Sequence, residues 1–167
     1  FRRLLEELYP ELFRRAEMQS VGEALLLKLP GARGGRAPIL FVAHMDVVEA
    51  KGDWTHPPYS GEVADGCIWG RGTLDMKGAL CALMEALEQA LRQGMAFDRT
   101  VYVFLCCDEE TGGETTKRAV ELLKEQGVRL EMVYDEGGTL ADNFLDLGER
   151  TVAVLGVAEK GSAVLRF

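Results

Sequence analysis

Apolar positions along the chain recur with a helical period in some stretches and in short unbroken runs in others. From Arg2 to Glu17, Leu4, Leu5, Leu8, Leu12, Phe13 and Ala16 fall at near-helical spacing with Pro10 among them. Proline removes a backbone donor and clashes with the preceding turn, so this stretch predicts one kinked helix or two short ones. Ala24 to Leu29 is apolar and bounded by turns, and Pro38 to Ala43 is a continuous apolar run of the kind a buried strand needs, with His44 where it ends. Glu62 to Ala64 and Cys67 to Trp69 flank Asp65-Gly66, a two-residue turn that favours a tight hairpin.

From Asp75 onward, Leu80, Leu83, Met84, Leu87 and Leu91 repeat at helical spacing, and Gly94 follows as a C-terminal cap. Thr100 to Cys107 reads as a second buried strand, Thr115 to Gln126 as a helix closed by Gly127, and Leu130 to Tyr134 as a third strand. Thr151 to Val157 and Gly161 to Phe167 read as further strands. Strands alternating with helices predict an α/β domain: a mixed, largely parallel sheet with helices on both faces. In such sheets ligands gather beyond the carboxyl ends of the strands.

Composition narrows the classes. With 167 residues, 47% hydrophobic and 28% charged, the chain can bury one core and is not a disordered segment. Its 27 acidic residues against 19 basic ones give a net charge of −8, which argues against nucleic acid or an anionic membrane as partner. No apolar run approaches the ~20 residues of a membrane span. Cys67, Cys81, Cys106 and Cys107 form no CxxC pair; reduced, mostly buried thiols of a cytoplasmic protein are expected. The chain lacks an initiator Met, a signal-peptide pattern and a closing helix, so it is read as part of a longer protein.

Three predicted strand ends carry metal-ligand chemistry: His44 and Asp46 after the first, Glu109 and Glu110 after the second, and Asp135 and Glu136 after the third. Asp75 joins them at a predicted helix start. Imidazole with several carboxylates suits zinc or manganese rather than calcium, and a structural zinc would call for thiolates. Singly, each residue has a plain structural explanation, since a loop carboxylate is usually a solvated charge and Asp75 could cap its own helix. Together they fall on one edge of one predicted sheet, each beside a glycine or a turn. A nucleotide-binding reading is disfavoured, because no GxGxxG or GxxxxGK[ST] follows a predicted strand.

Several blocks resemble the signatures of M20 metallopeptidases and amidohydrolases. They are Ala43-His44-Met45-Asp46-Val47-Val48, Trp54-Thr55-His56-Pro57-Pro58-Tyr59-Ser60-Gly61, Trp69-Gly70-Arg71-Gly72-Thr73-Leu74-Asp75-Met76-Lys77-Gly78, Asp108-Glu109-Glu110-Thr111-Gly112-Gly113 and Tyr134-Asp135-Glu136-Gly137-Gly138. The similar branch is that of carboxypeptidase S, N-acyl amino acid hydrolases and aminoacylases. Glu49, where proline is common, and Thr111, where Val or Ile is usual, depart from the pattern without removing a ligand.

The resemblance implies an enzyme that cleaves an amide or peptide bond of a small peptide or N-acyl amino acid. Its cofactor would be two divalent metal ions, zinc first, with cobalt or manganese as alternatives. Asp75 would bridge the metals, His44 and one of Asp135 or Glu136 would hold one, and Glu110 the other. A shared carboxylate offsets the repulsion of cations ~3.5–4 Å apart. Glu109 would be the general base, and Asp46 would hydrogen-bond the His44 imidazole and fix its tautomer. A cis peptide bond is implied between Asp75 and Met76. His56 has no metal role in the pattern, and Cys106 and Cys107 fill a strand. The chain would be the N-terminal portion of the catalytic domain, without the dimerisation domain and C-terminal segment that supply a late histidine and, in the full-length protein, a homodimer. The competing reading is a non-catalytic fragment serving as a structural or interaction domain.

Overall fold

A computed structural model describes residues 1–142 and 150–158. The strand expected over Gly161 to Phe167 lies outside the described residues. The chain divides into two compact units, the first spanning Phe1–Asp135 and the second beginning at Glu136.

The first unit is built on a five-stranded sheet whose strands, from one edge to the other, are Glu17–Val21 (β1), Ala24–Leu29 (β2), Val101–Cys106 (β6), Ile39–His44 (β3) and Met132–Tyr134 (β7). β3 runs parallel to β6 and β7, while β2 is antiparallel to β1 and β6. The expected mixed α/β sheet therefore forms, with its parallel character concentrated in the three strands whose ends carry the candidate ligands. Two further strands, β4 (Glu62–Ala64) and β5 (Cys67–Trp69), make the expected hairpin. Asp65 and Gly66 at its tip both have positive φ, 53° and 74°, as a two-residue turn matched to strand twist requires.

β6 is buried along its whole length, and alternate residues serve opposite faces. Val101, Val103 and Leu105 join Leu25, Leu27 and Leu29 beneath α1 (Arg2–Leu8), α2 (Pro10–Arg15) and α3 (Gly78–Arg92). Tyr102, Phe104 and Cys106 join Ala24 and Leu26 beneath Ala119 and Leu123 of α4 (Glu114–Glu125). Helices thus cover both faces. No helix among the described residues is long and apolar enough to cross a membrane.

Two sequence expectations change. The N-terminal helical stretch takes the expected form of two short helices, with Pro10 at the first position of α2, but it stops before Glu17, where β1 begins. β1 is an edge strand exposed at four of its five residues, so it carries no apolar run to mark it. α3 starts at Gly78 rather than Asp75, because Asp75 has extended dihedrals, φ −117° and ψ 100°. In the second unit, β8 (Thr139–Asp142) pairs antiparallel with β9 (Thr151–Val154), so the strand expected from Thr151 is present and ends at Val154.

Two carboxylates organise helix ends. Glu88 of α3, 1% exposed, accepts the Leu12 amide at 2.8 Å and the Glu11 amide at 3.2 Å. These are amides of the first turn of α2, which have no partner inside the helix. Arg92, one turn along α3, balances the buried charge at 2.8 Å. Asp108 acts likewise on α4: one oxygen accepts the Thr115 amide at 2.9 Å and the other the Thr115 hydroxyl and the Cys106 thiol.

Glu88→Ala leaves two amides without their acceptor and is expected to cost about 1–3 kcal/mol in chemical denaturation. Hydrogen bonds from Thr115 hold the Asp108 carboxyl below the usual carboxylate range. A depressed folded-state value means the stabilisation is complete at neutral pH and is lost as pH falls through that value. Asp108→Asn is expected to lower stability by about 0.5–2 kcal/mol at pH 7, with the deficit shrinking in acid when stability is followed against pH.

Candidate metal centre

Because β3 and β6 are parallel with His44 opposite Cys106, the residues following each strand emerge on one edge of the sheet. His44 closes β3 there, Asp108, Glu109 and Glu110 follow β6, and Asp135 follows Tyr134 of β7. Asp75 arrives from the turn between β5 and α3. That turn is tight: a Cβ on Gly72, whose φ is +85°, would meet Val47 Cγ1 at 2.4 Å and Lys77 Nζ at 2.9 Å. A Cβ on Gly78 would meet the Thr73 carbonyl oxygen at 2.8 Å. The Asp75–Met76 peptide bond is cis, as the resemblance implies. Met76 is buried and its sulfur accepts the His44 amide at 3.2 Å, while Asp75 remains 66% exposed at its side chain.

The His44 ring is 2% exposed. Its Nδ1 lies 3.0 Å from the Asp46 carbonyl oxygen, which can only accept, so Nδ1 carries the hydrogen. Its Nε2 lies 3.0 Å from Asp75 Oδ1. In the neutral tautomer this sets a nitrogen lone pair against a carboxylate oxygen, an arrangement that needs a cation, proton or metal, at Nε2. His44, Glu109 and Glu110 also offer ligand atoms within 4.8 Å of one another. One imidazole nitrogen stripped of its hydrogen and surrounded by carboxylates is the donor set of a zinc-type ion, and the residues present fit that group.

Asp46 departs from its expected part. Its Oδ1 is 3.6 Å from His44 Nδ1, too far for a hydrogen bond, and the tautomer is fixed by its main-chain oxygen instead. The carboxylate accepts the Glu109 amide at 3.2 Å and the Glu110 amide at 3.0 Å. Glu109 is exposed and Glu110 half-buried. Desolvation pushes the Glu109 carboxyl up, His44 opposes this, and Glu110, Asp46 and Asp75 add to the rise. Asp135 is exposed, and Glu136 opens the second unit.

His56 stays outside this cluster: its Nδ1 is 3.1 Å from Glu62 and its ring stacks at 4.4 Å on Trp69. All four cysteines are free, but only Cys106 is buried, while Cys67 and Cys81 are exposed; Cys67 lies in the short outer hairpin and Cys81 on an exposed position of α3. Sequence reasoning passed over Asp108, Met76 and Glu88. Asp108 opens the acidic block, but nothing in the spacing marks it as the acceptor for a helix six residues on.

The model of peptidase family M20/M25/M40 matches residues 40–159. The N-fatty-acyl-amino acid synthase/hydrolase of Danio rerio is 38% identical over 170 residues, 98% of this chain and 33% of that protein. The human N-fatty-acyl-amino acid synthase/hydrolase is 40% identical over 138 residues, 82% of this chain and 28% of that protein. Carboxypeptidase S of Saccharomyces cerevisiae is 36% identical over 115 residues, 65% of this chain and 20% of that protein. The chain thus spans about a third of the length of the first two. Among solved structures, an M20 family metallo-carboxypeptidase from Sulfolobus solfataricus shares the fold with a TM-score of 0.69 at 21% identity, over 83% of this chain and 32% of that one. Human carnosine dipeptidase 1 does so with a TM-score of 0.67 at 23% identity, over 84% of this chain and 33% of that one. With the motif blocks, the fold and the family match in agreement, this chain belongs to peptidase family M20/M25/M40.

Proposed function

We propose that the protein containing this chain hydrolyses the amide bond of an N-acyl amino acid, or the peptide bond of a small peptide, using divalent metal held at this sheet edge. The observation that carries the reading is the buried His44 ring with its Nε2 directed at Asp75, 3.0 Å away, beside the Glu109–Glu110 pair. Similarity to N-fatty-acyl-amino acid hydrolases at 38% and 40% identity favours the N-acyl substrate. Leu74, 93% exposed and next to Asp75, offers an apolar contact suited to an acyl chain.

His44, Asp75 and Glu110 would hold the metal, with Asp75 shared between two zinc-type ions and one of Asp135 or Glu136 as a further ligand. Bound there, the ions would acidify a water and polarise the scissile carbonyl. Glu109 then takes a proton from the attacking water and delivers it to the departing amine. Its raised proton affinity suits both halves of that transfer, and its exposure leaves the carboxyl accessible to substrate. Glu110, half-buried beside the imidazole, is the better placed of the two to serve as a ligand. Asp46 keeps His44 in the tautomer that presents Nε2.

In the full-length protein loaded with zinc, release of the amino acid from an N-acyl amino acid is the activity expected, and a chelator should abolish it. Glu109→Gln is expected to lower turnover by ~10²–10⁴-fold with metal content unchanged, whereas Asp75→Ala should lose metal, both read by steady-state kinetics beside elemental analysis. Full activity of Glu109→Gln with a normal metal count would assign the proton transfer to another group.

A further inference from the structure

The Asp46 carboxylate is committed to two consecutive backbone amides. Oδ1 accepts from Glu109 and Oδ2 from Glu110, across 63 and 64 positions of sequence, so one side chain ties the end of β3 to the loop after β6. The side chain is 18% exposed, which strengthens hydrogen bonds made to a charged acceptor. The need of the His44 ring is met by a different atom of the same residue, the main-chain oxygen, at 3.0 Å.

The loop's own hydrogen bonds are local, from the Thr111, Gly112 and Gly113 amides back to the Asp108 and Glu109 carbonyls. Glu109–Thr111 is a single short turn with no buried residue, and Gly112 and Gly113 follow with φ of 123° and 66°. Asp108 fixes the start of the loop to α4, and Asp46 grips its middle. Rotation about the Glu109 or Glu110 backbone would swing their carboxyls relative to His44, and the two amide contacts oppose that rotation.

We propose that the Asp46 carboxylate positions Glu109 and Glu110 by holding their backbone amides, while the main-chain oxygen of the same residue serves the His44 ring; this rests on the reading of Glu109 as general base. The chemistry of the acceptor matters. Asparagine has the same shape, but its NH2 would face one of the two amide donors, so Asp46→Asn releases half of the grip while leaving the main-chain oxygen on His44 in place.

The test uses the full-length, zinc-loaded protein and two readouts. In hydrogen exchange, the Glu109 and Glu110 amides are expected to be protected in the wild type and to exchange faster in Asp46→Asn. In kinetics, Asp46→Asn is expected to lower kcat by roughly ten- to a hundredfold with KM little changed, and to cause little further loss in a Glu109→Gln background, because residues acting through one another are not additive. The same fold-loss in both backgrounds would overturn the proposal and return Asp46 to the imidazole. Unprotected wild-type amides would overturn it without any variant having to fold. Full activity of Glu109→Gln alone would remove the base and with it the catalytic sense of the grip, while the exchange result would still report whether the contact exists.

Discussion

An imidazole nitrogen that has given up its hydrogen and a carboxylate oxygen repel one another, and a protein that holds such a pair in contact has to supply a positive charge between them. His44 and Asp75 stand in that relation, 3.0 Å apart, because the Asp46 carbonyl claims the hydrogen at the other ring nitrogen. Much of the local structure serves this contact. The Met76 sulfur occupies the His44 amide, the glycines at 72 and 78 let the turn fold against Val47 and Thr73, and Asp75 is left outside α3 with its carboxylate facing the ring. A zinc-type ion at Nε2 would replace a proton there, which couples metal affinity to pH.

The sheet places the remaining carboxylates by register. β6 is the buried centre, packed on one face by α1, α2 and α3 and on the other by α4, so its end cannot drift relative to that of β3. Beyond Cys106 the chain turns at once, and the loop carrying Glu109 and Glu110 is spanned by two aspartates, Asp108 toward α4 and Asp46 toward β3. Neighbouring glutamates can therefore differ in environment, Glu109 exposed and Glu110 half-buried, although they are adjacent in sequence.

What the sequence made legible follows from burial. The β3 and β6 strands and α3 and α4 carry enough buried apolar side chains to show their periods, β7 is legible despite its exposure because Met132, Val133 and Tyr134 form an apolar run, and the Asp65-Gly66 turn has few other conformations open to it. β1 was illegible because an exposed edge strand needs no apolar face, and the helix boundary at Asp75 was misplaced because buried Met76 stands four residues before buried Leu80, a helical spacing, although Asp75 and Met76 have non-helical dihedrals. The gathering of His44, Asp75, Glu109 and Glu110 could be anticipated from the motif blocks and the parallel strand ends. The division of labour within Asp46 could not, since spacing does not distinguish a main-chain oxygen from the carboxylate of the same residue. Glu88 was hidden for a related reason: a glutamate on an amphipathic helix looks like a solvated charge unless a second helix is known to end against it.

In the proposed centre, His44 and Asp75 would hold a divalent cation between them. Anomalous diffraction at the zinc edge from crystals of the zinc-loaded full-length protein tests it directly. The expected result is a peak about 2.0–2.1 Å from His44 Nε2, within coordination distance of an Asp75 oxygen, with a Glu110 oxygen ligating at the same centre. A His44 ring still in direct contact with Asp75 in crystals whose zinc lies elsewhere would contradict it.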